Sequence, residues 1–344
     1  MAEELASFRT PRKILVGSDF SGLDSAWFAL QRLDLPVELQ FCSDSDEKCK
    51  AVIQGIHRPK RFHDDVIKRK PGEELPVHLY IFTPPCQSFS CQGKRAGIQD
   101  ARGRAMKASF GYIKRRRPRV VLFENVPGIL EKKHKPVLCG THKALKKLGY
   151  VMWLKTLDSS NFKVPQMRRR VFLVAILKTS LRRKFKWPKG QGKRSLSSVL
   201  DPRKKSDKAG KLPINKNAAR MAKLAYRKLW AKGIDARQEL VAVDVGCTEK
   251  YLTFGVDICR TLSRTRAATG GFWLSTLGRK MSVTEIVRVN GMLPQEVEAC
   301  FDYVSEKDLC KMIGNSVPVP LIGEIMQEAM FAAGLISEKK TFPC

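Results

Sequence analysis

Acidic residues are scarce in this chain. Its 344 residues carry 33 Asp and Glu against 64 Lys and Arg, a formal net charge of +31. A balance so one-sided repels itself unless a polyanion neutralises it, and nucleic acid is the common one; the bland alternative is a merely basic soluble protein. Long apolar runs are absent too. None approaches the roughly 20 residues that cross a bilayer, which excludes a membrane-spanning helix and makes a membrane partner unexpected. The opening MAEELASFRTPRK is acidic, then basic, with no apolar core. No secretory signal is therefore expected, and the chain reads as intracellular: nuclear in a eukaryote, cytoplasmic in a bacterium. The ten cysteines form no C-x-x-C pair and the five histidines do not cluster with them. Structural zinc, or any other metal site, is not expected, and disulfides would not persist in a reducing compartment. Most thiols read as small buried hydrophobes. There is no phosphate-cradling G-x-x-x-x-G-K-[ST] and no internal repeat.

What is present is alternation. KILVGSDF, VELQFCSD, VHLYIF, VVLFE, VMWLKTL and RVFLVAIL read as strands, and SAWFALQRL and other segments between them carry helical spacing. Strand and helix in turn imply right-handed crossovers and a mostly parallel sheet. From Lys178 the texture changes: residues 178–233 hold 19 basic residues against two acidic. That stretch begins a smaller basic domain, expected over 178–277 and inserted between residues 12–177 and a return at 278–335. Within it Phe185, Trp187, Tyr226 and Trp230 are expected to pack a small core rather than stack on bases. The run KRRRPR at Lys114 to Arg119 reads as the solvated end of a helix, or else as a nuclear import patch.

Ligands of such sheets bind outside the carboxyl ends of the strands. The first strand leads into SGLDS, where Gly22 lets backbone approach a ligand closely. The second ends in SDSD and the next stretch carries FHDDV, acids placed to accept ribose hydroxyls. The third strand runs into TPPCQSFS. Two prolines stiffen its exit, so Cys86 is held at the ligand edge, either as a nucleophile or as a packed thiol in a turn. VVLFENVPGIL brings Glu124 to the same edge. In VPQMRRRVFLVA, Arg168 and Arg170 alternate along an extended run and are expected to point to one side.

These motifs, in this order, closely resemble the cytosine-5 methyltransferase family. FSGLDS resembles its cofactor loop, PPCQSFS its nucleophile motif, ENV its acid motif and QMRRR its arginine motif. GRKMSVTEIVRVNGM resembles the segment after target recognition, and IGNSVPVP the closing cofactor motif. The resemblance implies a Rossmann-like α/β fold, S-adenosyl-L-methionine as cofactor and methyl transfer to carbon 5 of cytosine. The target base would be flipped out of the stack. By the same resemblance Cys86 is the nucleophile, Glu124 holds the ring, and Arg168, with Arg170 close to it, supports that geometry. Phe20, Ser21, Gly22, Leu23 and Pro84 would line the cofactor, Asp44 would bind its ribose, and Asp65 and Val66 would contact the adenine. Asn315 and Ser316 would complete the pocket. The loop SFSCQGKRAGIQDARGR is expected to act as a lid. Asp24 stands where the family has a second glycine, and is expected to crowd or repel the cofactor's carboxylate.

Double-stranded DNA is the expected substrate, read by the basic domain. RNA is the alternative, through the tRNA-methylating branch of the family, whose C-F-T signature has only CRTLSRTR as a counterpart here. A catalytically silent nucleic-acid binder is the third reading, although Cys86, Glu124, Arg168 and Arg170 are all present.

Overall fold

The computed structural model describes residues 11–84 and 101–343. They divide into two compact units. The first contains the described residues up to Leu157 together with Arg169–Lys189 and Leu321–Pro343, and the second contains Asp158–Arg168 and Gly190–Pro320.

The first unit is built on the expected mostly parallel sheet. Its strands are β1 (Ile14–Asp19), β2 (Val37–Ser43), β3 (Arg61–His63), β4 (Leu79–Phe82), β5 (Val120–Asn125), β6 (Tyr150–Asp158) and β7 (Arg169–Leu177), in the order β3-β2-β1-β4-β5-β7-β6. β1 pairs in parallel with both β2 and β4, and β7 runs antiparallel to β5. Every residue of β4 and β5 is buried, so the sheet is covered on both faces. The strand order reverses between β1 and β4, which places the crevice at their carboxyl ends. Register aligns those ends: Asp19 faces Ser43 on one side and Phe82 on the other.

Helices α1 (Ser25–Arg32), α2 (Glu47–Val52), α3 (Ala101–Arg116) and α4 (Lys135–Lys147) supply crossovers. α2 runs directly into a π-helical turn, Ile53–His57, a feature no periodicity announced. Phe41, Tyr80, Phe82, Tyr112 and Phe123 form the core's aromatic centre, with Tyr80 stacked on Phe82 at 5.5 Å. Each such burial is worth roughly 1.5 to 3 kcal/mol by area. The Lys114–Arg119 run closes α3: Arg115 pairs with Glu74, and Arg116 donates to the Gly72 carbonyl. Cations there also suit the helix's negative end.

The second unit carries α5 (Lys216–Trp230), then β8 (Val241–Val243), β9 (Phe254–Val256), β10 (Trp273–Leu274) and β11 (Arg279–Lys280) in a small sheet of order β11-β10-β8-β9. The short helix α6 (Arg264–Ala268) lies between β9 and β10, and α7 (Val283–Val289), α8 (Pro294–Val297) and α9 (Glu306–Asn315) follow the sheet. The last helix, α10 (Val319–Ala332), leads back into the first unit.

The boundaries differ from those expected from composition. Residues 178–189 belong to the first unit despite their charge, because Arg182 and Arg183 donate backbone N–H groups to the Ala332 carbonyl at 2.8 and 3.1 Å and Phe185 packs on Trp153 at 5.0 Å. Trp187 stands edge-on to Phe185 at 5.0 Å, also in that unit. At the other end, the return comes at Leu321 rather than at 278. Residues 278–320 stay with the second unit, where Glu285 is fully buried and takes a two-pronged bond from Arg279 at 2.7 and 2.8 Å. Trp230 departs from the core expectation at 69 % exposure, while Tyr226 is half-buried against the small core.

Candidate active site

The described candidate residues of the first unit gather at the carboxyl ends of the strands, as a switch-point crevice requires. After β1 the chain turns sharply. Phe20, Gly22 and Asp24 have φ of 59, 58 and 51°, a left-handed conformation that costs a side chain but not glycine. Among the described residues, a Cβ added to Gly22 would meet nothing within 4 Å, so they leave room beside the loop. Ser21 lies inside the turn, its hydroxyl accepting from the Ser43 N–H at 3.2 Å.

Asp24 does not face that open side. It is buried, and its carboxylate caps α1 by accepting from the Trp27 N–H at 3.3 Å. The same carboxylate accepts from the Ser18 hydroxyl at 2.9 Å and the Cys42 thiol at 3.4 Å. Burial, then the nearby Asp24 charge, pushes the Cys42 thiol well up, so it keeps its proton to donate. The crowding expected of Asp24 is thereby corrected: the residue is an N-cap, and helices favour Asp there.

Leu23 is buried at 1 %, and its carbonyl is bonded to His57 Nε2 at 3.0 Å. Its side chain therefore does not line open space. Asp44, half-buried after β2, accepts from the Gly22 N–H at 2.8 Å and the Asp46 N–H at 3.0 Å. Burial raises its carboxyl above the ordinary range, against the pull of those backbone donors. Asp65 accepts from the Ile67 N–H at 2.8 Å in a local turn, and Val66 beside it is buried.

Asp19 is committed to a buried cluster. Arg69 grips its carboxylate with two nitrogens at 2.7 and 2.9 Å; Ser43 and Ser109 add hydroxyls at 2.8 and 3.1 Å, and Tyr80 adds its own. These donors satisfy the oxygens of a side chain that burial removes from water. The cluster underpins the ends of β1, β2 and β4. Nothing in the local pattern around Arg69 signalled it.

The acid of ENV reaches the crevice edge. Glu124 is 8 % exposed, and Arg170 Nε lies 3.1 Å from its Oε1. Asn125, next along, donates its side-chain amide to the Pro84 carbonyl at 3.2 Å and accepts from the Val126 N–H at 2.9 Å. The exits of β4 and β5 are thus tied together, with Thr83 adding a bond to the Phe20 carbonyl at 3.1 Å. Cys86 and most of the expected lid lie outside the described residues. Only the lid's last four, Ala101–Arg104, are described, and they open α3.

Arg168 behaves differently from Arg170. Arg170 lies on β7, which begins at Arg169, and Arg168 just precedes it. Arg168 is 2 % exposed and donates to the carbonyls of Leu262, Gly314 and Asn315 at 2.9, 3.1 and 3.2 Å. Two of those acceptors close α9, where unpaired carbonyls need a cation. Gly314 is obligatory there, since a Cβ would stand 2.6 Å from the Ser263 carbonyl. Gln166 completes the strut: its carbonyl oxygen accepts the Leu262 N–H at 2.9 Å and its amide reaches Val289 O and Asn290 Oδ1 at 3.3 Å. Asn315 is exposed, and Ser316 bonds back to the Met312 carbonyl at 2.8 Å. In CRTLSRTR, Cys259 is fully buried with its thiol pushed well up by burial. That is not the environment of a reactive thiolate.

Comparison with known proteins bears on the family and the fold. The family profile described as C-5 cytosine-specific DNA methylase matches residues 17–330. The type II methyltransferase M.NgoPII of Neisseria gonorrhoeae is 27 % identical over 332 residues, covering 92 % of this chain and 94 % of that one. The structure of the Entamoeba histolytica methyltransferase EhMeth superposes with a TM-score of 0.65 at 15 % identity, over 93 % of this chain and 98 % of that one. The structure of the S. pombe Dnmt2 methyltransferase does so with a TM-score of 0.58 at 16 % identity, over 92 % and 98 %. At such identities the structures share the fold.

Proposed function

The chain belongs to the C-5 cytosine-specific DNA methylase family, and on that premise we propose that it methylates carbon 5 of cytosine in double-stranded DNA through a covalent adduct with Cys86. The observation that carries this reading is the Glu124–Arg170 pair at 3.1 Å, one residue from the Asn125 bond to the Pro84 carbonyl. An acid held by a guanidinium stands beside a strand exit that leads, two residues on, to a cysteine.

Carbon 5 of cytosine is a weak nucleophile, which addition of a thiolate at carbon 6 remedies. The Cys86 sulfur forms a bond to carbon 6, and the ring's double-bond electrons shift toward carbon 5. Glu124 shares a proton with ring nitrogen 3 and accepts from the exocyclic amine, so charge built by the addition is stabilised. Arg170 fixes the orientation of Glu124. Once carbon 5 carries the methyl group, its proton passes to a base, and the electron pair left behind re-forms the ring double bond and expels the Cys86 thiolate. A base inside a duplex is out of reach of such groups, so it must leave the stack, as the handling of bases by methyltransferases generally requires.

The loop after β1 suits an adenosine-bearing cofactor. Among the described residues nothing crowds Gly22, and Asp44 retains lone-pair capacity beyond its bonds to backbone donors to accept ribose hydroxyls. Phe20, Ser21, Gly22, Asp44, Asp65, Val66 and Pro84 would hold S-adenosyl-L-methionine. When bound it supplies the methyl group on an electrophilic sulfonium.

The test is tritiated methyl transfer to duplex DNA and, in parallel, to bulk tRNA, with 5-fluorocytosine duplexes to trap the adduct. Label in DNA, and a trapped species abolished by Cys86→Ser, is the expected result. Label in tRNA alone moves the chain to the RNA-modifying branch, and no label in either leaves a silent binder.

A further inference from the structure

One helix of the second unit has two faces of opposite character. α5 buries Met221, Ala222, Ala225 and Leu229, which hold it to the small sheet beside Val241, Val243 and Trp273. Its outer face carries Lys216, Arg220, Lys223 and Arg227, all exposed, and ends on Trp230 at 69 % exposure. The steps between these five residues are four, three, four and three, so they form one stripe along the helix. α5 contains no acid. Like charges at that spacing disfavour a helix, and here the buried face offsets them.

The surroundings extend the pattern. Glu249 approaches Arg220 at 3.5 Å, but both side chains are more than half exposed, and such a pair binds weakly. It sets the turn Glu249–Tyr251 beside the middle of α5, where Tyr251 is 64 % exposed. Exposed aromatics next to a cationic stripe are costly to leave in water and suited to sugar and base edges. A second copy of a chain with net charge +31 would be repelled from this face.

We infer that the outer face of α5 docks on duplex DNA, its four cations on the phosphates of one strand and Trp230 against the sugar edge at the end of the row. Lys216 to Arg227 spans roughly 17 Å of helix, the axial run of about five phosphates on one strand. The identity of the partner rests on the proposed function; the surface itself rests on the stripe.

Salt dependence of binding to a labelled duplex, measured without cofactor, reads this surface directly. The variant Lys216→Gln/Arg220→Gln/Lys223→Gln/Arg227→Gln is expected to flatten the slope of log K against log salt by about 3 to 4, at about 0.9 per phosphate lost. The α4 control Lys143→Gln/Lys146→Gln/Lys147→Gln, also exposed, is expected to keep the wild-type slope. Trp230→Ala is expected to weaken binding with the slope unchanged. An equal slope for the quadruple variant and wild type overturns the inference, as does a loss seen on tRNA but not on duplex. Should the quadruple variant unfold, Lys223→Gln and Arg227→Gln singly are each expected to lower the slope by about 0.9. Steep, stripe-dependent binding without methyl transfer would sink the enzymatic reading and leave the surface standing. Methyl transfer with an unaltered slope would do the reverse.

Discussion

Arg170 Nε lies 3.1 Å from Glu124 Oε1, with both side chains largely shielded from water. The acid at the crevice edge is therefore oriented from within its own sheet, because β5 and β7 are antiparallel neighbours and register sets Glu124 against Phe172. Removing the guanidinium by Arg170→Ala is expected to lower kcat by about 100-fold or more, the usual cost of losing one preorganised electrostatic partner. Arg170→Lys should recover part of it. Turnover within a few-fold of wild type for the alanine variant would remove Arg170 from the site.

Arg168→Met is expected to act on the fold. It strips the donor from three buried or half-buried carbonyls, and a loss of about 3 kcal/mol or more follows for such a network. Thermal unfolding measures it. A variant as stable as wild type but inactive would instead place Arg168 on the substrate.

Asn125→Ala releases the exit of β4 from the exit of β5. Displacing a reacting group by about 1 Å can cost 100-fold, so kcat should fall by about 10- to 100-fold while S-adenosyl-L-methionine affinity, read by calorimetry, stays within about twofold. Equal losses in both would mean that the whole crevice edge has relaxed.

Asp24→Gly relieves a left-handed φ of 51° but deletes the cap of α1 and the acceptor for Ser18 and Cys42. The caps and buried acceptors outweigh the relief. A lower Tm and weaker cofactor binding are expected, the reverse of what removing a repulsive acid would do. Tighter binding would restore the crowding reading.

Three histidines of the first unit give the protein an acid limit. Burial lowers the pKa of His57, His63 and His78, with the Arg69 and Arg119 charges adding to it for the latter two. His78 Nδ1 also accepts the Leu15 N–H at 3.0 Å, which protonation would break. Each folded-state value lies below the unfolded one, so the unfolded chain binds more protons as pH falls below about 6.5. Stability is complete above that pH and lost as pH drops toward the folded values. A Tm series from pH 7.5 to 5, roughly bracketing the unfolded value, should slope downward, and His57→Gln, which keeps a donor for the Leu23 carbonyl but does not titrate, should reduce the slope. Parallel curves for the two proteins would exclude His57 as a contributor.

Much of the first unit was legible in the residues. Continuous apolar runs such as LYIF and VVLFE are what parallel strands buried on both faces demand, and the site residues followed at their carboxyl ends. Less legible were the partners. Arg69 meets Asp19 across 50 positions, and His57 meets the Leu23 carbonyl across 34. No local pattern encodes contacts of that span. Composition also misplaced the border at 178, because charge density marks a solvated surface and not the unit to which a segment's backbone is bonded.

By itself the sequence determined the succession of strands and helices along the chain, the edge of the sheet at which ligands bind, the family and the set of chemical groups available to it. These follow from local periodicities of two and 3.6 residues and from motif order. Only the tertiary structure decided that Arg170 meets Glu124, that Asp24 turns inward as a helix cap, and that α5 faces water with four cations in a row. Each of those depends on which side chains packing brings within about 3 Å of a donor or acceptor, or leaves facing solvent, and that is a property of the assembled chain.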